Sequence, residues 1–445
     1  MEILEKAQKM LEKHSLCNHC LGRQFALLGY GLDNRKRGET LKLLLTMKGH
    51  QQALSKQKSG IKLLKTLATN SSFDMATEIL KRMGKRPGKK RQCYLCEGRF
   101  NTIPELVDLA IKKLSKYEFS SFLVGIELPT ETEEREDEFK AKFEVEHGEN
   151  MRNEFSREMG KEIFKVIEKT VEFKRPEIVV LVKPFSGRVR LQVNPLFISG
   201  RYRKLVRGIP QSRWLCVKCK GVGCQRCNGT GKMYPESVEE IIGEPTLEVA
   251  GGEAIAFHGA GREDIDARML GRGRPFVIEI KRPKKRFFDL QNLAQTVNER
   301  AKGKVEVSNL RLATKDTVRR LKKPEAAQKL YKVTVEFNKK VPKEKLVELA
   351  ETLTGIVIRQ QTPTRVLHRR ADLVREKHIY KAKVKRLKPT KIEMRIQSQG
   401  GLYIKELVTG DEGRTSPSVA EILNVEAKPL ELDVLNVIMN KKERV

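Results

Sequence analysis

The chain has 445 residues, with 89 Lys or Arg against 57 Asp or Glu, a formal net charge of +32. At 39% hydrophobic it has enough apolar material for packed cores, which excludes a disordered chain. It holds no apolar run of membrane-spanning length and no signal-like apolar core in the charged segment 1–14, so a cytoplasmic protein is expected.

A positive surplus of this size repels itself in a compact fold. A polyanionic partner relieves that repulsion, and nucleic acid suits it better than a membrane because the charge is spread along the chain. The length predicts roughly two to four domains. Met1–His14 reads as an amphipathic helix with Ile3, Leu4, Ala7, Met10 and Leu11 on one face. Residues 35–92 are Lys-rich and polar, and the run Lys81, Arg82, Lys85, Arg86, Lys89, Lys90, Arg91 is the densest basic stretch, a candidate RNA contact or a solvated face. Pro104–Lys116 reads as a helix and Phe122–Leu128 as a strand. The acidic segment Glu131–Glu138 is expected to be a solvated loop, followed by a helix over Asn153–Thr170 and strands over Glu177–Lys183 and Arg188–Val193.

All eight cysteines fall in Cys-x-x-Cys pairs: Cys17/Cys20, Cys93/Cys96, Cys216/Cys219 and Cys224/Cys227. Two such pairs complete a tetrahedral four-thiolate site, which leaves no open position for catalysis. A redox role for a pair is the competing reading. The run CVKCKGVGCQRCNGTGK, with Gly221, Gly223, Gly229 and Gly231 at its turns, resembles one zinc repeat of the J-domain chaperones. The flanks CNHCLGR and CYLCEGR are alike, and we read them as two knuckles of one further site. Structural Zn2+, one or two ions, is therefore expected, with His19 a lesser candidate ligand.

From residue 233 strands and helices alternate. Strands are expected around Phe276–Ile280, Tyr331–Phe337 and Ile392–Ile396, with helices after Asp289 and over Pro342–Gly355. Three stretches could carry chemistry. Gly261-Arg262-Glu263-Asp264-Ile265-Asp266 sets a carboxylate among cations, which favours its charged form; such a group can be a nucleophile, a metal ligand or a salt-bridged loop anchor. Lys329-Leu330-Tyr331 opens a strand, and its ring is either core or a stacking surface for a base. In Gly400–Leu407, read as extended, Tyr403 and Lys405 share a side; the other reading is a strand entering a helix.

In this order, the three stretches resemble the three active-site motifs of the pseudouridine synthases. GREDIDARMLGRGRPF, QTPTRVLHRR, YIKELVTGDEGRTSPS and LELDV resemble the tenth family of these enzymes, found in archaea and eukaryotes. The helix and late strands before Gly200-Arg201-Tyr202-Arg203-Lys204 resemble a THUMP domain, as in other RNA-modifying enzymes. The resemblance implies an α+β multidomain chain: zinc-knuckle region 1–100, THUMP-like domain 101–207, Cys/Gly zinc linker 208–232, and catalytic domain 233–445 with a mixed, mainly antiparallel sheet and flanking helices. It implies isomerisation of tRNA T-loop uridines 54 and 55 without a catalytic cofactor. Asp264 takes the nucleophile's position, with Asp266 the runner-up. Tyr331 maps to the uracil-stacking tyrosine, Tyr403 and Lys405 to the third motif, and Lys405 stands where many synthases carry arginine. Arg262 would fill the space left by the flipped nucleotide, and His368, Arg369 and Arg370 are candidate RNA contacts. A monomer without protein partners is expected. A THUMP-bearing methyltransferase is disfavoured, because Asn194-Pro195-Leu196-Phe197 lacks the second proline of the methyltransferase motif and no Gly-x-Gly-x-x-Gly precedes it, and a thiolating enzyme because no pyrophosphatase-type Ser-Gly-Gly loop appears. The alternative of another class is a non-catalytic zinc-knuckle RNA-binding protein.

Overall fold

A computed structural model describes residues 2–71, 73–322 and 327–439, with only the backbone of Ala327, Arg369 and Met439. The chain divides into two compact units, Met1–Asn194 and Pro195–Val445.

The first unit opens with α1 (Ile3–Lys13), which buries Ala7, Met10 and Leu11, and the short α2 (Asn18–Gly22). The polar region 35–92 is helical: α3 (Asn34–Leu54), α4 (Lys58–Asn70) and α5 (Asp74–Arg82). α4 turns Leu63, Leu64 and Leu67 inward and its lysines outward. α3 is harder to read because its inner face mixes Leu41 and Leu45 with Asn34, Arg37, Lys42 and Thr46. Lys42 is fully buried, and its ammonium donates to Leu16 O (2.8 Å), Asn18 Oδ1 (2.8 Å) and Ser71 O (3.0 Å). Three acceptors in one place let a buried amine stand where burial alone is costly; burial still lowers its pKa to about 8.

After α6 (Ile103–Leu114) the chain runs β1 (Ser121–Ile126), α7 (Thr130–Lys142), α8 (Met151–Ile167), β2 (Thr170–Val171), β3 (Ile178–Lys183) and β4 (Arg188–Val193). The strands form a sheet in the order β2-β1-β3-β4, with β1 parallel to β2 and β3, and β3 antiparallel to β4. α7 corrects the expected acidic loop. Glu131 and Glu133 lie at its N-terminus and Lys140 and Lys142 at its C-terminus, the order that suits a helix dipole. Its Phe139 is buried, and its buried Glu136 pairs with the buried Arg23.

The second unit begins with β5 (Leu196–Lys204), then α9 (Val238–Ala250), β6 (Ala254–Gly259), β7 (Arg268–Lys281), α10 (Leu290–Arg300), β8 (Val305–Ala313), α11 (Lys315–Leu321), β9 (Ala327–Phe337), α12 (Lys343–Leu353), β10 (Val357–Gln361), β11 (Val374–Lys388), β12 (Lys391–Gln399), α13 (Ile404–Thr409), β13 (Thr415–Ser416), α14 (Val419–Leu423) and β14 (Ala427–Met439). These strands make a ten-stranded sheet in the order β13-β10-β11-β12-β9-β14-β7-β5-β8, with β6 on β7. Within this sheet, among the described residues, only the β14–β7 pair is parallel; β14 is antiparallel to β9. β14 thus joins a β9 half to a β7 half. The expected alternation of Tyr331, Val333, Val335 and Phe337 holds, all four being buried.

The boundary at 207 is corrected. β5 pairs with β7 and β8 from Leu196 onward, so the Gly-Arg-Tyr-Arg-Lys segment belongs to the large sheet. Ile198 and Tyr202 are fully buried in that sheet's core, which is why the strand goes with it. The linker 208–232 likewise lies within the second unit.

Candidate active site

A cavity of about 1000 Å3 opens in the second unit, lined by residues that include Gly261, Arg262, Asp264, Arg274, Lys329, Tyr331, Arg365, Tyr403 and Lys405. All three sequence stretches contribute to it, and Leu432 and Val434 of β14 complete its wall between the two half-sheets.

The loop carrying Asp264, between β6 and β7, is pinned by buried polar groups. Arg274 Nε donates to Glu263 Oε2 (2.8 Å) and its Nη1 to Ala260 O (2.8 Å). The Tyr202 hydroxyl donates to the same Glu263 carboxylate at 2.9 Å, and Gln211 Nε2 donates to Tyr202 Oη (2.7 Å) and Gly261 O (3.0 Å). Lys204 Nζ donates to Ile209 O (2.8 Å), Asp264 O (3.1 Å) and Ile265 O (3.2 Å). These bonds fix the backbone on both sides of Asp264 and satisfy groups that would otherwise be costly to bury. Burial opposes the charge of Arg274, but Glu263 holds it protonated, above its ordinary value. Gly261 has φ +79°, and a Cβ there would lie 3.1 Å from Lys329 Nζ and 3.3 Å from Arg274 Nη1, so the turn calls for glycine.

Asp264 meets two cations: Arg365 Nη2 at 3.2 Å and Lys405 Nζ at 3.4 Å. Lys405 lies closer to Asp266, at 2.7 and 2.8 Å. Asp264 lines the cavity and is 34% exposed; Asp266 is 66% exposed and is absent from the lining. Arg365 also donates to Glu406 Oε1 (2.6 Å) and lies 5.8 Å from the centre of the Tyr403 ring.

The expectation that Tyr403 and Lys405 share the side of an extended strand is corrected. Tyr403 is the N-cap of α13, and Lys405 lies in its first turn. Glycine 400 and glycine 401 end β12 instead of extending it, and Gln360 clamps the Tyr403 backbone from both ends (Tyr403 N to Oε1 2.8 Å, Nε2 to Tyr403 O 3.1 Å). Tyr331 lies on β9 with its phenol pushed up to about 12, chiefly by burial, with Arg274 opposing and Asp264 adding to the shift. Arg262 lines the cavity and lies 5.1 Å from the centre of the Trp214 ring. Of the basic residues after β10, Arg370 lines the cavity and His368 is exposed; the Arg369 side chain lies outside the described residues. Sequence reasoning missed Arg365 inside QTPTRVLHRR. It missed Glu263 too, although it lies next to Asp264.

The cysteines gather as Cys17, Cys20, Cys93, Cys96 and as Cys216, Cys219, Cys224, Cys227, with the sulfurs of each set within 4.8 Å of one another. A tetrahedral ion about 2.3 Å from each thiolate sets neighbouring sulfurs roughly 3.8 Å apart. The contacts Cys17–Cys96 (3.6 Å), Cys216–Cys224 (3.8 Å), Cys219–Cys227 (3.7 Å) and Cys224–Cys227 (3.7 Å) fit it. In the second set the amides of Gly223, Cys224 and Gly231 point at sulfurs at 3.2 Å. Gly231, at φ +69°, comes so close to Gly221 O that a Cβ would sit 2.3 Å from it. His19 belongs to neither set; its Nδ1 pairs with Glu154 at 2.8 Å and its ring stacks on Phe100.

Residues 197–438 match the family profile described as Pus10, C-terminal, and residues 106–183 that of the archaeal Pus10 THUMP domain. Proteins named tRNA pseudouridine synthase Pus10 match nearly end to end. That of Methanothrix thermoacetophila is 41% identical over 438 residues, 98% of this chain and 94% of its own. Those of Methanocaldococcus jannaschii (44%; 98% and 94% covered) and Pyrococcus furiosus (40%; 98% and 98%) are similar. The chain belongs to the Pus10 family, the tenth pseudouridine synthase family to which its motifs pointed.

Proposed function

We propose that Asp264 is the nucleophile with which this tRNA pseudouridine synthase isomerises uridines 54 and 55 of the T loop. The observation that carries the reading is the meeting of Asp264, Tyr331, Arg365 and Lys405 in one cavity. The reaction breaks the N1–C1′ bond, turns the uracil and forms a C5–C1′ bond. Substrate and product have the same oxidation level, so the isomerisation needs no redox group.

The uridine must leave its stack, at a cost of a few kcal/mol. Stacking on Tyr331 returns roughly 1–3 kcal/mol. Arg365 and Lys405 hold Asp264 toward the cavity, and the pinned Glu263–Arg274 pair keeps its backbone from moving, so the attacking group is positioned before the substrate arrives. Tyr403, between Arg365 and the Gln360 clamp, closes the wall. Arg262 takes the place of the extruded nucleotide. The basic run 81–91, with His368 and Arg370, holds phosphates. The two four-thiolate sites each take a Zn2+ ion, which supplies cross-linking of their loops and no chemistry.

Tritium release from uracil-5-tritiated tRNA tests the reading. The protein should release tritium without added cofactor. Asp264→Asn should abolish release and keep tRNA binding, whereas Asp266→Asn should retain it. Release that survives Asp264→Asn removes Asp264 as nucleophile.

A further inference from the structure

The cavity contains an amine that this mechanism leaves unused. Lys329 lies on β9 two residues before Tyr331, so both side chains leave the same face of the strand. It lines the cavity, and its Nζ lies against Gly261, at the start of the Asp264 loop. The neighbouring Glu263 carboxylate is already bonded to Arg274 and Tyr202, and no carboxylate bonds Lys329 among the described residues. Arg274 of β7 and Glu263 of the loop bear most on its charge; the other ionisable groups lining the cavity are Arg262 and Asp264 of the loop, Tyr331 of its own strand, and Lys322, Arg365, Arg370, Arg375, Glu376, Lys377, Tyr403 and Lys405. Its partners in the sheet, Ser398 of β12 and Val437 of β14, carry no charge.

We propose that Lys329 is the general base that takes the C5 proton of the rearranged uracil and returns a proton to N1. The proposal rests on the pseudouridine synthase reading. Once C5 has bonded to C1′, that carbon still carries its hydrogen and N1 is doubly bonded to C6. A neutral amine removes the proton from C5, the C5–H electrons form the C5–C6 double bond, and the N1–C6 electrons return to N1. N1 then takes a proton from the ammonium, so the amine is regenerated and no proton is gained or lost overall. The site favours this state of the amine: burial, with Arg274 adding to it and Glu263 opposing, lowers the Lys329 pKa to about 7. Tyr331 stands beside it with its phenol protonated near neutral pH.

The test compares two substrates in single-turnover reactions on Lys329→Met and Lys329→Gln. With uracil-5-tritiated tRNA, both variants should lose tritium release by about 100-fold or more, the scale of general-base catalysis. With tRNA carrying 5-fluorouridine, which has no C5 proton to lose, C–C bond formation should stay within about threefold of the unsubstituted protein, read by mass spectrometry of nuclease digests. The unsubstituted protein's release rate should fall as pH drops through about 7, where the amine becomes protonated, and the 5-fluorouridine rate should not follow it. Equal losses on both substrates, undiminished tritium release, or a release rate flat from about pH 6 to 8 would each overturn the assignment. A variant that no longer folds loses both activities and tRNA binding together, in which case the pH profiles of the unsubstituted protein decide. If that protein itself releases no tritium, the failure is of the underlying isomerase reading.

Discussion

At the scale of single residues, the site departs from its motifs in how Asp264 is held. The third motif supplies a lysine where a planar fork would bind a carboxylate in two places. Lys405 spends its closest bonds on Asp266, and Arg365, from a segment 40 residues earlier in the chain, brings a guanidinium to Asp264 and Glu406. Arg365→Ala removes charge-assisted bonds worth about 1.5–3 kcal/mol. It should lower kcat roughly 10- to 100-fold with little change in tRNA affinity, measured by single-turnover tritium release beside a filter-binding isotherm. Arg365→Lys should recover only part of the loss, because a lysine cannot reach Asp264 and Glu406 in one planar arrangement. A second test concerns Asp433 of β14, only 1% exposed, which receives Arg268 at 2.9 Å, Arg207 at 2.7 Å and Lys332 at 3.4 Å. Despite burial, the Arg268 guanidinium, with Arg207 and Lys332, holds this carboxyl below the usual carboxylate range. Its stabilisation is therefore present above the unfolded pKa, about 3.9, and is lost as pH falls through the folded value. The protein should be more stable than Asp433→Asn at pH 7, and the gap in Tm should shrink below about pH 4.

At the scale of elements, the two knuckles show what local pattern reveals. Close spacing and repeated glycines mark the set at 216–227, the like flanks CNHCLGR and CYLCEGR mark the other, and the distant pairs Cys17/Cys20 and Cys93/Cys96 do converge. Cys216→Ser should lower bound zinc by one equivalent, read by plasma mass spectrometry, while the first site keeps its ion. Gly231→Ala should do the same through backbone strain and the clash with Gly221 O. Strands with clean alternation, such as β4 and β9, were legible because one face of each is buried. α7 was not, since a run of acids reads as a solvated loop until Phe139 and Glu136 are seen packed inward. β5 was assigned to the wrong neighbour because alternation gives a strand's faces and says nothing of its partners. At α13 the sequence leaves an extended run and a strand entering a helix both open, and Gln360, from another strand, fixes the second by clamping the Tyr403 backbone. Asp264, Tyr331 and Lys405 lay in readable motifs. Arg365, Glu263 and Arg274 did not stand out because ion-pairing partners meet only through the fold.

At the scale of the whole molecule, the charge of +32 makes a prediction of its own. tRNA affinity should fall steeply and log-linearly with salt, since each phosphate contact releases counterions. Reversing Lys85, Arg86, Lys89 and Arg91 to glutamate should lower the slope of that plot, while the rate on saturating tRNA stays near its original value. No helix among the described residues is long and apolar enough to cross a membrane.

The position of β14 has a consequence for how the enzyme comes into being. Synthesis runs from N- to C-terminus, so a nascent chain holds the β9 strands and the β7 strands before it holds the strand that joins them. Asp264 then stands on one unjoined piece and Tyr331, Arg365 and Lys405 on the other. A chain released after residue 426 should hold a folded N-terminal unit and an inert catalytic half, and adding 427–439 as a separate peptide should be the simplest way to switch it on.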